Sequence, residues 1–364
     1  MKQDTCLKIE SLTYPVVIGT DPWREIDIFI KPYLQSGGIY LLTDNNTQKY
    51  CLPVLTGYMP EMARQPLFSI SPGEQSKDSA NLDGLWKWMM KSGAAKDSLL
   101  INLGGGVVSD LGGFAAATFN RGISYLNIPT SLISQVDAAI GGKSGINISG
   151  IKNKAGLFHD PIAVFINPAF LTTLPDAHLK SGYAEIIKCA ALSGKAFPKQ
   201  LINEKLPEQD YLFDLIYETV KFKCSIISGD PFDRSSRKML NFGHTVGHAL
   251  ESFSGSQGKI EMLHGEAVAA GMICESYLSY LTEGLSRAGL EEITIVIKSF
   301  FKPEPINNLF FDQIIELMDF DKKKTNNGIG FSLLQGFGKP SLNRPVDRVN
   351  LIRSFEYFNR EVQK

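Results

Sequence analysis

Of the five histidines in this chain, three fall in two glycine-framed stretches, His244 and His248 in NFGHTVGHALE and His264 in LHGEAVAAGM. The four-residue step from His244 to His248 sets both rings on one helical face. Glu185 of GYAEIIK with two of these histidines would give a divalent ion three ligands and leave a fourth position for substrate, as a catalytic zinc requires. A histidine pair at this spacing is as readily a packing pair, and it is the third histidine in a similar setting that weighs toward metal. Glu251, Glu261 and Glu266 stand as further ligands or supporting groups, and sequence separation does not choose among them. Lys188 follows Glu185 by one helical turn, so its ammonium can meet an anion while the carboxylate meets a metal.

A second kind of chemistry is suggested by Gly104-Gly105-Gly106, which closes the apolar run SLLINL and opens VVSDLGGFAAAT. Glycines let a backbone turn toward phosphate oxygens, and amides at a helix start donate to a pyrophosphate. Asp44, at the end of an earlier apolar run, is placed to take ribose hydroxyls, although the glycine spacing is not the ordinary dinucleotide fingerprint. A polar series then runs through Arg121, Asp137, Lys143, Lys152, Asn153, Lys188, Lys223 and Arg237. Solitary Lys154, Lys180 and Lys199 read as solvated surface groups, whereas Lys143 sits in AAIGGKSGIN, where glycines can bring its amine close to a ligand. A small substrate carrying both a phosphate and a carboxylate would use so many fixed cations.

The elements that must position these groups change character along the chain. GGIYLLTDNN (37–46), PLFSI (66–70), SLLINLGGG (98–106), SYLNIP (124–129) and IAVFI (162–166) read as buried strands alternating with helices, hence a mostly parallel sheet. Beyond about residue 175, runs near 179–193, 209–228, 239–254, 262–283 and 286–300 carry apolar residues at three-and-four spacing, and GIGFSLLQGFG (328–338) reads as a short strand or hairpin among them. The reading is therefore an α/β domain over 1–175 and a mainly helical domain over 176–364, packed closely around a cleft.

Composition limits the partners. The 364 residues are 43% hydrophobic and 21% charged, a globular balance, and 37 basic against 38 acidic groups leave a net charge of -1 with no global field for nucleic acid or an anionic membrane. The five cysteines lie far apart without a CxxC pair, and charged Lys2, Asp4, Lys8 and Glu10 interrupt any apolar leader, so a cytoplasmic enzyme is expected.

Taken in order, TDNN (43–46), PGEQSK (72–77), GGGVVSDLGGFAAATFNRG (104–122), VDAAIGGKSGI (136–146), IKNKAGLF (151–158), GYAEIIK, NFGHTVGHALE, LHGEAVAAGM and DKKKTNNG (321–328) make a pattern far more specific than any glycine trio. In them the chain resembles the 3-dehydroquinate synthase family of sugar-phosphate cyclases. The resemblance implies a Rossmann-like NAD-binding domain followed by a helical metal- and substrate-binding domain, with zinc, or cobalt, on Glu185, His244 and His264. It implies NAD contacts at Asp44, Asn46, Glu74, Lys77, Gly105, Gly106, Asp110, Thr130, Ser131 and Thr173, with Asp137 and Lys152 nearer the reactive end. Lys143, Asn153, Lys188, Lys223, Arg237, Asn241 and His248 match the substrate pocket, and Arg121 an arginine lent across a homodimer to the neighbouring phosphate site. Ser109 and Ser131 depart from the usual glycine and threonine, and GIGF (328–331) lacks the basic residue often found there, leaving Lys322 or Lys323 as the last phosphate ligand. The implied reaction turns 3-deoxy-D-arabino-heptulosonate 7-phosphate into 3-dehydroquinate. The alternatives are another cyclase, such as an aminodehydroquinate or inosose synthase, and a metal-dependent polyol dehydrogenase.

Overall fold

The computed structural model describes residues 6–148, 151–197, 209–256, 262–321 and 329–364. It divides into two compact units, one of residues 1–175 with Ile216–Ser228, the other of Asp176–Leu215 with Gly229–Lys364. Ile216–Ser228, assigned by sequence to the helical domain, thus groups with the α/β unit. It lies within one unbroken helix, and its Lys223 side chain is bonded to Asp137.

In the first unit the strands are β1 (Leu7–Ile9), β2 (Val16–Ile18), β3 (Ile39–Asp44), β4 (Leu67–Ile70), β5 (Leu99–Gly104), β6 (Ser124–Pro129), β7 (Lys143–Ile148), β8 (Ile151–Phe158) and β9 (Ala163–Ile166). Seven form one sheet in the order β1-β2-β9-β6-β5-β3-β4, parallel throughout except for β1 against β2. Strand residues alternate between two cores. Ile39, Leu41, Leu99, Ile101 and Leu103 pack on one side with Trp23, Ile26 and Ile30 of helix α1 (Trp23–Gln35). On the other side Tyr40, Leu42 and Leu100 meet α4 (Ser79–Lys91) and α5 (Gly106–Thr118), while the short α2 (Asn45–Tyr50) and α3 (Leu52–Tyr58) follow β3. A sheet covered on both faces needs apolar residues at successive positions, which is why these strands read as continuous runs.

The spatial order β4-β3-β5-β6-β9 reverses direction between β3 and β5. Helices leave such neighbouring strands on opposite faces and open a crevice at their carboxyl ends. Asp44 ends β3 and Gly104 ends β5, so sheet topology alone brings these two distant segments to one place. β7 and β8 form a separate antiparallel hairpin, not foreseen from sequence, that carries Lys143, Lys152 and Asn153.

The second unit holds α6 (Asp176–Ser193), the first residues of α7 (Gln209–Gly229), α8 (His244–Ser256), α9 (His264–Thr282), α10 (Arg287–Phe301), α11 (Phe311–Asp321) and α12 (Arg348–Val362), with a hairpin of β10 (Ile329–Gly336) and β11 (Lys339–Val346). Every residue of α9 from Ala267 to Ser276 is buried, the mark of a central helix. Among the described residues no helix is long and apolar enough to cross a membrane.

Candidate active site

In the second unit, backbone contact between helices sets the geometry. A Cβ on Gly265 would lie 1.9 Å from the Ser181 carbonyl oxygen of α6, and one on Gly271 would lie 2.0 Å from the Gly243 oxygen at the start of α8. The glycines flanking the histidines therefore let three helices approach until side chains one turn deep converge. His244, His248 and His264 each present a ring nitrogen within 4.8 Å of the other two. Glu185 Oε1 lies 3.4 Å from His244 Nε2 and 3.8 Å from His264 Nε2. Its other oxygen pairs with Lys188, and Glu251 Oε2 sits 3.2 Å from His264 Nδ1, where it can fix the tautomer.

Glu185 and Lys188 are each only 1% exposed. Burial pushes the Glu185 carboxyl up, but Lys188 and then His244 pull it down harder, and it lies well below the ordinary carboxylate range. Burial, and then the Lys188 charge, lower the His244 imidazole to about 4, so it is neutral with a lone pair to give near pH 7. Glu185 Oε1, though buried, makes no hydrogen bond, and Oε2 meets the Lys188 ammonium. A buried carboxylate so placed beside the His244 and His264 imidazoles is a donor set suited to a divalent cation. The geometry brings His248 as close as the other two rings and does not itself separate ligand from neighbour.

Arg237, also buried, donates from Nη1 to the Pro231 carbonyl at 2.7 Å, and Asn241 is half-buried at the end of the same 3-10 turn, Ser236–Asn241. The turn is held by Asp230, which accepts the main-chain N–H groups of Arg234, Ser235 and Arg237 and is thereby lowered to about 2.

In the first unit, α5 starts directly after Gly105, whose missing side chain leaves the helix N-terminus uncapped and approachable. The Thr130 N–H closes on the Gly104 carbonyl at 3.0 Å, and half-buried Ser131 bonds Ser134 at 2.9 Å. Lys77 reaches Asp110 Oδ2 at 2.7 Å and Glu74 Oε1 at 3.6 Å; burial lowers its ammonium, but Asp110 and Glu74 raise it above its ordinary value. Asp44 caps α2 by accepting the N–H groups of Asn46 and Thr47, each at 2.8 Å, leaving the Asn46 side chain exposed. These groups sit along the carboxyl ends of β3 to β6, where open α/β sheets bind ligands, and exposed Thr173 ends a turn following β9. Lys223 donates to the Asp137 carboxylate and to its carbonyl.

Lys143 is exposed at the head of β7, after Gly141 and Gly142, both in the left-handed region. Half-buried Lys152 and left-handed Asn153 occupy β8, and Arg121 is exposed in a turn with φ 62°. Lys322, Lys323 and Glu261 lie outside the described residues. Sequence reasoning missed three positioning groups. The Asn147 side chain donates to Glu74 Oε1 at 2.9 Å and accepts the Asn153 N–H at 2.9 Å, and Tyr14 takes the Gly141 N–H at 2.7 Å. Glu275, which accepts the Gly243 and Val246 N–H groups, is the third, and none of the three stood out in the sequence.

The fold is shared with solved structures of two NAD+-bound synthases. A solved 2-deoxy-scyllo-inosose synthase complexed with carbaglucose-6-phosphate, NAD+ and Co2+ superposes with TM-score 0.82 at 21% identity, covering 96% of this chain and 99% of that one. A 2-epi-5-epi-valiolone synthase from Streptomyces hygroscopicus with NAD+ and Zn2+ bound gives 0.79 at 21%, covering 97% and 98%. Family models for the N-terminal and C-terminal parts of 3-dehydroquinate synthase match residues 67–181 and 182–324. The 3-dehydroquinate synthase of Parabacteroides distasonis is 38% identical over 94% of this chain and 97% of its own length. The chain belongs to the 3-dehydroquinate synthase family.

Proposed function

We propose that this chain converts 3-deoxy-D-arabino-heptulosonate 7-phosphate to 3-dehydroquinate and phosphate. The observation that carries the reading is the convergence of Glu185, His244, His248 and His264 beside buried Lys188, in a chain that follows the family over nearly its full length. When bound, NAD supplies a reversible oxidation of the C5 alcohol, and a divalent metal held by Glu185, His244 and His264 polarises the oxygen there. Zinc is our assignment for that metal, with cobalt as a competent substitute.

A ketone at C5 acidifies the C6 proton, phosphate leaves by β-elimination, and after C5 is reduced the ring opens and closes by intramolecular aldol addition. The chain's own groups bind and orient one molecule through these steps. Lys143, Arg237 and Asn241 are assigned to its carboxylate, and Arg121, Asn153, Lys188 and His248 to its phosphate. Lys223, already hydrogen-bonded to Asp137, is assigned to the C4 or C5 hydroxyl region, where an ammonium favours ionisation. Asp44, Asn46, Glu74, Lys77, Gly105, Gly106, Asp110, Thr130, Ser131 and Thr173 are assigned to NAD, with Asp137 and Lys152 toward its reactive end.

Arg121 is assigned to a neighbouring subunit of a homodimer. Support comes from its turn, where Asn120, Arg121 and Gly122 are all left-handed and the Lys96 ammonium holds the Arg121 carbonyl at 3.0 Å, a strained segment that presents an exposed guanidinium. A reducing cytoplasm suits five cysteines that form no disulfide.

The deciding experiment follows carbocycle and orthophosphate from 3-deoxy-D-arabino-heptulosonate 7-phosphate with metal and catalytic NAD. Equal release without net NADH is expected. Accumulating NADH would indicate a dehydrogenase instead, and no turnover by folded, loaded protein would overturn the assignment.

A further inference from the structure

We propose that Glu275 is a positioning residue for the metal ligands, locking the helix that carries His244 and His248 against the helix that carries His264. α8 begins at His244, and the residue before it, where Ser, Asp or Asn would normally cap a helix, is Gly243. A capping side chain cannot be placed there. Gly243 has φ +80°, and a Cβ on it would lie 2.5 Å from Met272 Cγ and 2.9 Å from the Val268 carbonyl oxygen. The cap comes from another helix instead. Glu275, on α9 and 0% exposed, takes the Gly243 N–H on Oε2 at 2.7 Å and the Val246 N–H on Oε1 at 3.1 Å. These are the donors of the N-cap and of the third helical residue that a local capping box would satisfy, here met by one carboxylate 29 to 32 residues away.

His244 lies between the two donors in sequence, and His264 lies on the same helix as the acceptor. The two charge-assisted hydrogen bonds therefore fix the start of α8 relative to α9, and with it the separation of the ring nitrogens. A carboxylate at a helix N-terminus is also favoured by the helix dipole. Glutamine has one oxygen, so its amide nitrogen must face an N–H donor and one of the two bonds is lost. Nothing in this requires Glu275 to touch substrate or metal.

The inference rests on the metal reading above, and two measurements separate the failure of one from the failure of the other. The first is Co2+ affinity of metal-free protein, read from the visible absorption of bound cobalt in competition with a chelator. Glu275→Gln is expected to weaken Co2+ binding by about 10- to 100-fold, the range for groups that orient ligands, and to lower kcat while KM for the sugar phosphate stays within about twofold. A folded variant with wild-type Co2+ affinity overturns the proposal. The second is amide hydrogen exchange in the metal-free wild type, which does not depend on the variant folding. Slow exchange at Gly243 and Val246 supports the tie, and exchange as fast as at an exposed amide overturns it. Wild-type protein that binds no Co2+ would sink the metal reading, with amide exchange still deciding whether Glu275 locks the two helices.

Discussion

The Lys223 ammonium donates to the main-chain carbonyl of Asp137 at 2.6 Å and to the Asp137 carboxylate as well. Asp137 belongs to a one-turn π-helix, Ser134–Ala138, a rare geometry that concentrates at functional sites. Lys223 is 5% exposed, so little water competes for its charge. Lys223→Met should lower kcat by about 100-fold or more if the ammonium assists hydroxyl ionisation. Its stability cost should be only about 1–3 kcal/mol, because the Asp137 side chain keeps partial access to solvent. Steady-state kinetics and urea denaturation of one preparation check both, and an unchanged kcat would remove Lys223 from the reaction.

Glu185 and Lys188 form a nearly inaccessible ion pair one turn apart on α6. Glu185→Gln removes the counter-charge from a buried ammonium, which costs about 3–5 kcal/mol in comparable settings. The variant should therefore unfold at lower denaturant and bind Co2+ at least about tenfold more weakly. Lys188→Met leaves the carboxylate with His244 and His264 and should retain most of the metal affinity while losing turnover. Cobalt titration of both variants separates these roles, and equal affinities would refute the distinction.

What the sequence made legible was local. Four-residue spacing placed His244 and His248 on one face, and strand-then-glycine texture placed Gly105 at a helix start, as the structure has them. The β7–β8 hairpin was not legible, because Lys143 and Asn153 are set by partners far along the chain. Tyr14 holds Gly141, and Asn147 ties Asn153 of β8 to Glu74. The placement of Ile216–Ser228 with the first unit was hidden because the helix runs through the division without a break in its apolar pattern. Glu275 was invisible for a different reason. Its partners are main-chain amides, and AVAAGMICESY reads as a buried helix with or without a carboxylate.

Asp230 makes the turn before Arg237 sensitive to acid. Three main-chain donors hold its carboxyl at about 2, against an ordinary value of 3.8. A depressed carboxylate contributes stability in full above the unfolded value and loses it as pH falls toward the folded one. Stability should therefore drop between about pH 4 and about pH 2 in the wild type, and Asp230→Asn should lose part of that slope. Denaturation curves across the window test this, and identical slopes would show that other groups carry the acid response.

Two glycines give opposite expectations for the same substitution. At Gly265 an added Cβ meets the Ser181 carbonyl oxygen at 1.9 Å, so α6 and α9 would have to separate just where Glu185 and His264 face each other. Gly265→Ala should cost at least about 2 kcal/mol through overpacking and weaken Co2+ binding with it. At Gly57, in α3, nothing lies within 4 Å of the added carbon. Gly57→Ala should then stabilise by roughly 0.4–1 kcal/mol, because alanine restricts the unfolded chain and favours helix, with metal affinity untouched. Thermal denaturation and cobalt titration of the two variants side by side measure the difference. Equal stabilities would mean that α6 and α9 can yield without cost, and that their glycine contact does not set the distance between the proposed ligands.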